Sequence, residues 1–147
     1  MVQRRFAVIG EYQGRGIPIP RRHTRNSAGY DIAAAETVQI EPGSVALVPT
    51  GLKAYMNPDE WLALYPRSSL AVKKGLIMAN SVGVVDSDYA DNPSDEGHIR
   101  IALYNPTKQP VVIRKGERIA QGIFQKYLTC AKDHPSDDRQ GGFGSTG

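Results

Sequence analysis

The stretch IRIALYNPTKQPVVIRKGERIAQGIFQKY, residues 99–127, decides the fold class. Its apolar pieces, Ile99 to Tyr104, Val111 to Ile113 and Ile119 to Tyr127, are separated by Asn105-Pro106-Thr107-Lys108 and Lys115-Gly116. Proline fixes φ and glycine tolerates positive φ, so each connector is a turn with a mechanical reason. Outward from this stretch the same rhythm recurs in Phe6 to Ile9, Thr37 to Ile40, Val45 to Pro49, Leu52 to Met56 and Trp61 to Tyr65. Glu41-Pro42-Gly43 and Asn57-Pro58-Asp59 punctuate these runs. Short apolar runs at that spacing predict an all-β sandwich or barrel. The 15 glycines and 10 prolines among 147 residues, more than an average share, agree. Only Ser68 to Lys74 reads as helical, with Gly75 placed to stop it.

The length suits one domain. A net charge of +3 is mild beside the basic faces of nucleic-acid binders, so no nucleic-acid partner is expected, while a small polyanion fits. Cys130 is the only cysteine, which excludes an internal disulfide framework and a thiolate metal cage and predicts a reducing, cytoplasmic setting. Phe6 to Gly10 is too short for a signal-peptide core, and no run suggests a membrane span. The composition changes after Cys130: from Ala131 to Gly147 the one large apolar residue is Phe143, too little to order a segment. The expected organisation is a β domain over 1–130 and a mobile tail over 131–147.

Several short motifs carry chemistry. Gly142, Gly144 and Gly147 satisfy G-x-G-x-x-G, but the dinucleotide fingerprint needs a preceding strand and a following helix. A P-loop also fails, because no Lys precedes Ser145 or Thr146. What remains is a glycine-rich segment whose amides and hydroxyls, with Arg139, can meet phosphate oxygens; the plain alternative is a Gly/Ser tail. Asp86-Ser87-Asp88-Tyr89 follows the apolar run Val82 to Val85, so an extended chain would put both carboxylates on one face. That arrangement suits a general base or a metal-water contact, or simply a turn. An EF-hand is excluded by Asp91 and Gly97 at the positions that need Gly and Glu. Pro66-Arg67-Ser68-Ser69 opens the short helix, either as an anion clamp or as a plain N-cap. Taken alone, Asp31 reads as a backbone-bonded acid and Gln121 as an outward side chain. His23, His98 and His134 lack metal-ligand spacing and are expected at the surface, and no G-x-S-x-G elbow supports acyl chemistry.

Five segments in order carry a family likeness: Ala28-Gly29-Tyr30-Asp31-Ile32, Pro66 to Ala71, Asn80 to Tyr89, Arg118 to Phe124 and Gly141 to Gly147. Together they resemble the five signature motifs of the homotrimeric dUTPase family. The resemblance implies a jelly-roll-like β-barrel with one short helix and a flexible closing tail. It further implies three active sites at subunit interfaces and hydrolysis of dUTP to dUMP and pyrophosphate with Mg²⁺. By the same likeness Asp86 is the general base that deprotonates water attacking the α-phosphorus, and Arg67, Ser68, Ser69, Gln121, Arg139, Gly144, Ser145 and Thr146 surround the phosphates. Asp31 is an outer-shell metal contact through water. The hairpin from Asn80 through Gly83 and Val85 pairs with uracil and refuses cytosine and thymine, Tyr89 packs on the sugar, and Phe143 stacks over the base.

Two departures stand out. Ala90 to His98 is a longer polar connection than many members carry after the Asp-Tyr pair, and only Gln140 separates Arg139 from Gly141. Arg114 or Arg118 could therefore share the terminal-phosphate role. The rival readings are a dCTP deaminase, alone or bifunctional, on a similar subunit, and a regulatory protein-binding role with the Ala90 to His98 loop as contact surface.

Overall fold

The computed structural model describes residues 3–143. Eleven strands, one helix and one 3₁₀ turn at Gly10–Tyr12 make up its regular structure. The strands are β1 (Arg5–Val8), β2 (Tyr30–Ala33), β3 (Val38–Ile40), β4 (Val45–Pro49), β5 (Leu52–Tyr55), β6 (Glu60–Pro66), β7 (Ile77–Met78), β8 (Gly83–Asp86), β9 (Arg100–Tyr104), β10 (Val111–Ile113) and β11 (Arg118–Lys126). The helix, α1 (Ser68–Lys74), falls where the sequence places it. Gly75 ends it in the left-handed region at φ 67°, its N–H reaching back to the Ala71 carbonyl, a conformation that costs glycine nothing.

All pairings are antiparallel, in four sheets: β2-β11-β6-β8, β4-β9-β7, β1-β5 and β10-β3. The β architecture is as expected, but these sheets do not close into a continuous barrel; the packing is jelly-roll-like. One core joins them, with Ile32, Ile40, Val48, Leu52, Leu62, Ile101, Leu103, Ile113 and Ile119 almost fully buried. Burial of that apolar surface is the main stabilising term. The turn after β9 is held by Asn105, whose amide donates to the Ile40 carbonyl at 2.9 Å and to the Gln109 carbonyl at 2.8 Å. The buried Glu60 accepts from Arg4, which ties the residue before β1 to the start of β6.

β2 and β7 are strands that the sequence rhythm does not reveal. The first contains Asp31, and the second has only two residues. Each is a strand because a neighbour offers a free edge: β2 beside β11, and β7 beside β9. Among the described residues no helix is long and apolar enough to cross a membrane.

Candidate active site

β8 positions the first half of the site. Gly83 and Val85 face inward while Val84 and Asp86 face out. A side chain at Gly83 would put its Cβ 2.9 Å from the Leu64 Cβ, so only glycine lets β8 lie this close to β6. The segment before β8 does not fold back as a hairpin. β7 pairs with β9 and β8 with β6, so the turn at residues 80–82 carries the chain from one sheet to another. Ser81 takes φ 64° there, and the Val82 N–H donates to the Asn80 carbonyl at 2.7 Å.

After β8 the chain turns at once, the Tyr89 N–H donating to the Asp86 carbonyl at 3.1 Å. The extended alternation expected for Asp86 and Asp88 is therefore replaced by a turn, yet both carboxylates still converge. Arg139 lies between them, its Nη2 2.5 Å from Asp86 Oδ2 and its Nε 2.6 Å from Asp88 Oδ1. The hydrogen bond to Asp88 is the main reason the Arg139 guanidinium is held above its ordinary range. Beneath this cluster is a cavity of about 240 Å³ lined by Asn80, Gly83, Val85, Asp86, Tyr89 and Phe143, among others. The Phe143 ring centroid lies 5.8 Å from the Arg100 guanidinium carbon, and with Arg139 and Gly142 also lining it the tail meets this cavity on its own chain.

A second cluster stands elsewhere on the same sheet. Asp31, on β2, faces Gln121 on β11, and its carboxylate is shared by Arg67 Nε at 3.3 Å, Arg118 Nη1 at 3.4 Å and His23 Nδ1 at 3.2 Å. One carboxylate between two guanidinium groups leaves cationic capacity for an anion. Gln121 reaches the Pro66 carbonyl at 3.5 Å and packs against Gly29, where a Cβ would lie 2.4 Å from its Oε1. Arg67 is the N-cap of α1 without a side-chain cap bond, so Ser68 and Ser69 are the first helical residues and the plain N-cap reading of these serines is not what forms.

The two clusters do not share a cavity. The register gives the separation: Trp61 faces Asp86, whereas Arg67 lies six residues further along. At about 3.3 Å per residue the gap is about 20 Å. The chain thus brings together Asn80, Gly83, Val85, Asp86, Tyr89, Arg139 and Phe143, and separately Asp31, Arg67, Ser68, Ser69 and Gln121. Gly144, Ser145 and Thr146 lie outside the described residues.

Local pattern misses several neighbours of the cavity. His98, expected at the surface, is buried and lines it. Its Nε2 accepts the Gly51 N–H at 2.9 Å, and burial, with help from the Arg100 charge, pushes its pKa down to about 4. The Ala90 to His98 connection is not a loose surface loop either. Lys53 bonds Asp91 at 2.6 Å and Glu96 at 2.7 Å, and the Gly10 N–H donates to Glu96 at 2.9 Å. Burial opposes the charge on Lys53, but these carboxylates outweigh it and hold its pKa above the ordinary range. Only the polarity of Asp91, Asn92, Asp95 and Glu96 hints at such a network, because their partners are distant in sequence.

Among the described residues no three His, Cys, Asp or Glu side chains gather closely enough to ligate a metal ion. The Asp31 carboxylate is already held by the Arg67 and Arg118 guanidinium groups and the His23 ring.

The sequence model of the dUTPase family matches residues 15–147. The deoxyuridine 5'-triphosphate nucleotidohydrolase of Lactococcus lactis is 53% identical over 146 residues, covering 98% of this chain and 97% of its own. That of Escherichia coli O9:H4 is 37% identical over 142 residues, with 91% and 90% covered. The crystal structure of dUTPase from Streptococcus mutans superposes with a TM-score of 0.82 at 47% identity, covering 85% of this chain and 97% of that one. A dUTPase from phage phi11 of S. aureus, described with a structural Mg(II) ion, shares the fold at a TM-score of 0.73 and 20% identity, with 92% and 98% covered. With a jelly-roll-like fold, a family model matched from residue 15 onward and near-complete overlap with these relatives, the chain belongs to the dUTPase family.

Proposed function

We propose that this protein hydrolyses dUTP to dUMP and pyrophosphate at sites built by two or more copies of the chain. One observation carries the reading: the cavity that exposes β8 backbone also presents the Asp86 carboxylate and the Tyr89 ring. Uracil pairs with the Asn80 to Val85 segment, whose peptide groups imitate a complementary base. The extra amino group of cytosine then meets a donor, and an unpaired buried polar group of this kind can cost about 10⁴ to 10⁵ in discrimination. Close packing at Gly83 on Leu64 leaves the floor rigid against a thymine methyl. Tyr89 forms the wall under the deoxyribose.

Asp86 takes the proton of the water that attacks the α-phosphorus, and pyrophosphate leaves in line. In the closed chain its carboxylate is neutralised by Arg139, so substrate must draw that guanidinium toward the phosphates before Asp86 can act. Phe143 stacks over the base, and Gly144, Ser145 and Thr146 follow it onto the phosphates as the 131–147 tail closes. Arg67, with Ser68 and Ser69 beyond it, lies about 20 Å along the sheet from the same chain's Asp86 and Gln121 about 13 Å, which supports a neighbouring subunit as their point of use. A homotrimer with interface sites satisfies that requirement.

Mg²⁺, when bound, neutralises the triphosphate and helps the leaving group depart. Asp31 would hold a magnesium–triphosphate complex through water rather than by direct ligation. Asp31 is itself oriented by Arg67, Arg118 and His23. The lone cysteine and the mild charge support a cytoplasmic enzyme that works on free nucleotide.

A pyrophosphate-release assay with dUTP, dCTP, dTTP and UTP tests this reading. Rapid release from dUTP alone is expected. Ammonia from dCTP would replace the reading with deamination.

A further inference from the structure

Tyr89 is buried along its whole length, with its hydroxyl pointing into the Ala90 to His98 connection. That hydroxyl lies 2.8 Å from both Asp95 Oδ2 and the His98 carbonyl. Asp95 Oδ1 accepts from the Asn92 amide at 2.8 Å and from the Gly97 N–H at 3.1 Å, while Oδ2 also accepts from Arg100 at 3.3 Å. The buried Asn92 completes the frame: its amide donates to the Tyr89 carbonyl at 2.8 Å, and its Oδ1 accepts from the Ser94 N–H at 2.9 Å. Tyr89 is thereby held at both ends, backbone and hydroxyl, by one short loop. The loop is pinned from outside by Lys53, by the Gly10 N–H and by the Tyr55 hydroxyl, which donates to Asp91 at 2.7 Å.

An aromatic ring fixed only at Cβ has a soft χ2, and a tether at the far end of the ring sets its plane. The tether is strong here because, of the two acceptors within 2.8 Å of the hydroxyl, Asp95 is an ionised carboxylate. Steric exclusion works only if the wall does not yield. We infer that Asp95, seated by Asn92, is a positioning residue that stiffens the Tyr89 wall and so sets the discrimination between deoxyribo- and ribonucleoside triphosphates. The inference rests on the proposed dUTP site, in which Tyr89 underlies the sugar. It also gives the Ala90 to His98 connection a task inside the subunit.

The test compares kcat and KM for dUTP and UTP in the full-length protein and in Asp95→Asn, Tyr89→Phe and the double variant. Asp95→Asn is isosteric and retains an acceptor for Asn92 and Gly97, but it turns an amide toward the Tyr89 hydroxyl and Arg100. Each single variant should lower the dUTP-to-UTP ratio of kcat/KM about tenfold, through a gain on UTP more than a loss of kcat on dUTP. The double variant should be no worse than either single one, because both remove one interaction. A merely structural role would depress both substrates together, and an unchanged ratio, or effects that multiply in the double variant, overturns the inference. If Asp95→Asn does not fold, Tyr89→Phe decides the matter by the same ratio. A parent protein that releases no pyrophosphate from dUTP rejects the underlying reading, whereas an active parent with unchanged ratios in the variants rejects this inference alone.

Discussion

Acidification should weaken the fold through His98 before any carboxylate titrates. The ring is 3% exposed and accepts the Gly51 N–H on Nε2, so the folded chain needs it neutral with its proton on Nδ1. Its folded pKa of about 4 lies below the ordinary 6.5, so the unfolded chain binds the proton more tightly. Stability is therefore complete above the ordinary value, falls as pH drops through it, and levels off below the folded value. The full shift corresponds to about 3 kcal/mol, of which about 2 kcal/mol is lost between pH 7 and pH 5, because pH 5 still lies above the folded value. The lowered pKa values of Asp91, Asp95 and Glu96 act on the opposite side of that window, since their stabilisation persists until pH falls below the ordinary carboxylate range. Urea melts at fixed protein concentration across this range, on the parent and on His98→Gln, separate the contribution. The glutamine amide oxygen can accept the Gly51 N–H without titrating, so the variant's stability should be nearly flat from pH 7 to pH 5. Equal slopes for parent and variant would refute the argument.

Asp86→Asn should bind dUTP and lose turnover by about 10² to 10⁴, measured as pyrophosphate release against dUTP binding by calorimetry; parental turnover would remove Asp86 from the reaction. Gly83→Ala should cost about 1 to 3 kcal/mol in urea melts, because its Cβ would approach the Leu64 Cβ to 2.9 Å and neither backbone can retreat from the sheet. Deleting residues 138–147 should leave the circular dichroism spectrum and melting curve close to those of the parent while activity collapses, since no strand or helix follows β11 among the described residues. A truncated chain that fails to fold would mean the tail is structural.

Legibility of the sequence divides along physical lines. Strands such as Val45–Pro49 and Val111–Ile113 were readable because β-branched residues sit between proline and glycine turns, and α1 because Gly75 ends it. β2 and β7 were not, since Asp31 and a two-residue run carry no periodic signal and only a partner strand makes them extended. The residues around Asp86 could be assembled from motif order, but their division between two ends of one sheet could not. That separation depends on the register of β8 against β6. His98 and Asp95 escaped altogether, because a lone histidine and a polar loop look solvated until distant partners such as Gly51 and Tyr89 are known.

The most direct test of a shared site mixes two inactive variants. Asp86→Asn and Arg67→Ala proteins, unfolded together in equal amounts and refolded, would form mixed oligomers in which random assortment restores about a quarter of the sites if each pairs Asp86 of one subunit with Arg67 of another. The account predicts dUTP hydrolysis near a quarter of that of parent protein refolded alongside, from components that are each nearly inactive. Continued inactivity of the mixture, with full recovery of the refolded parent, would contradict it.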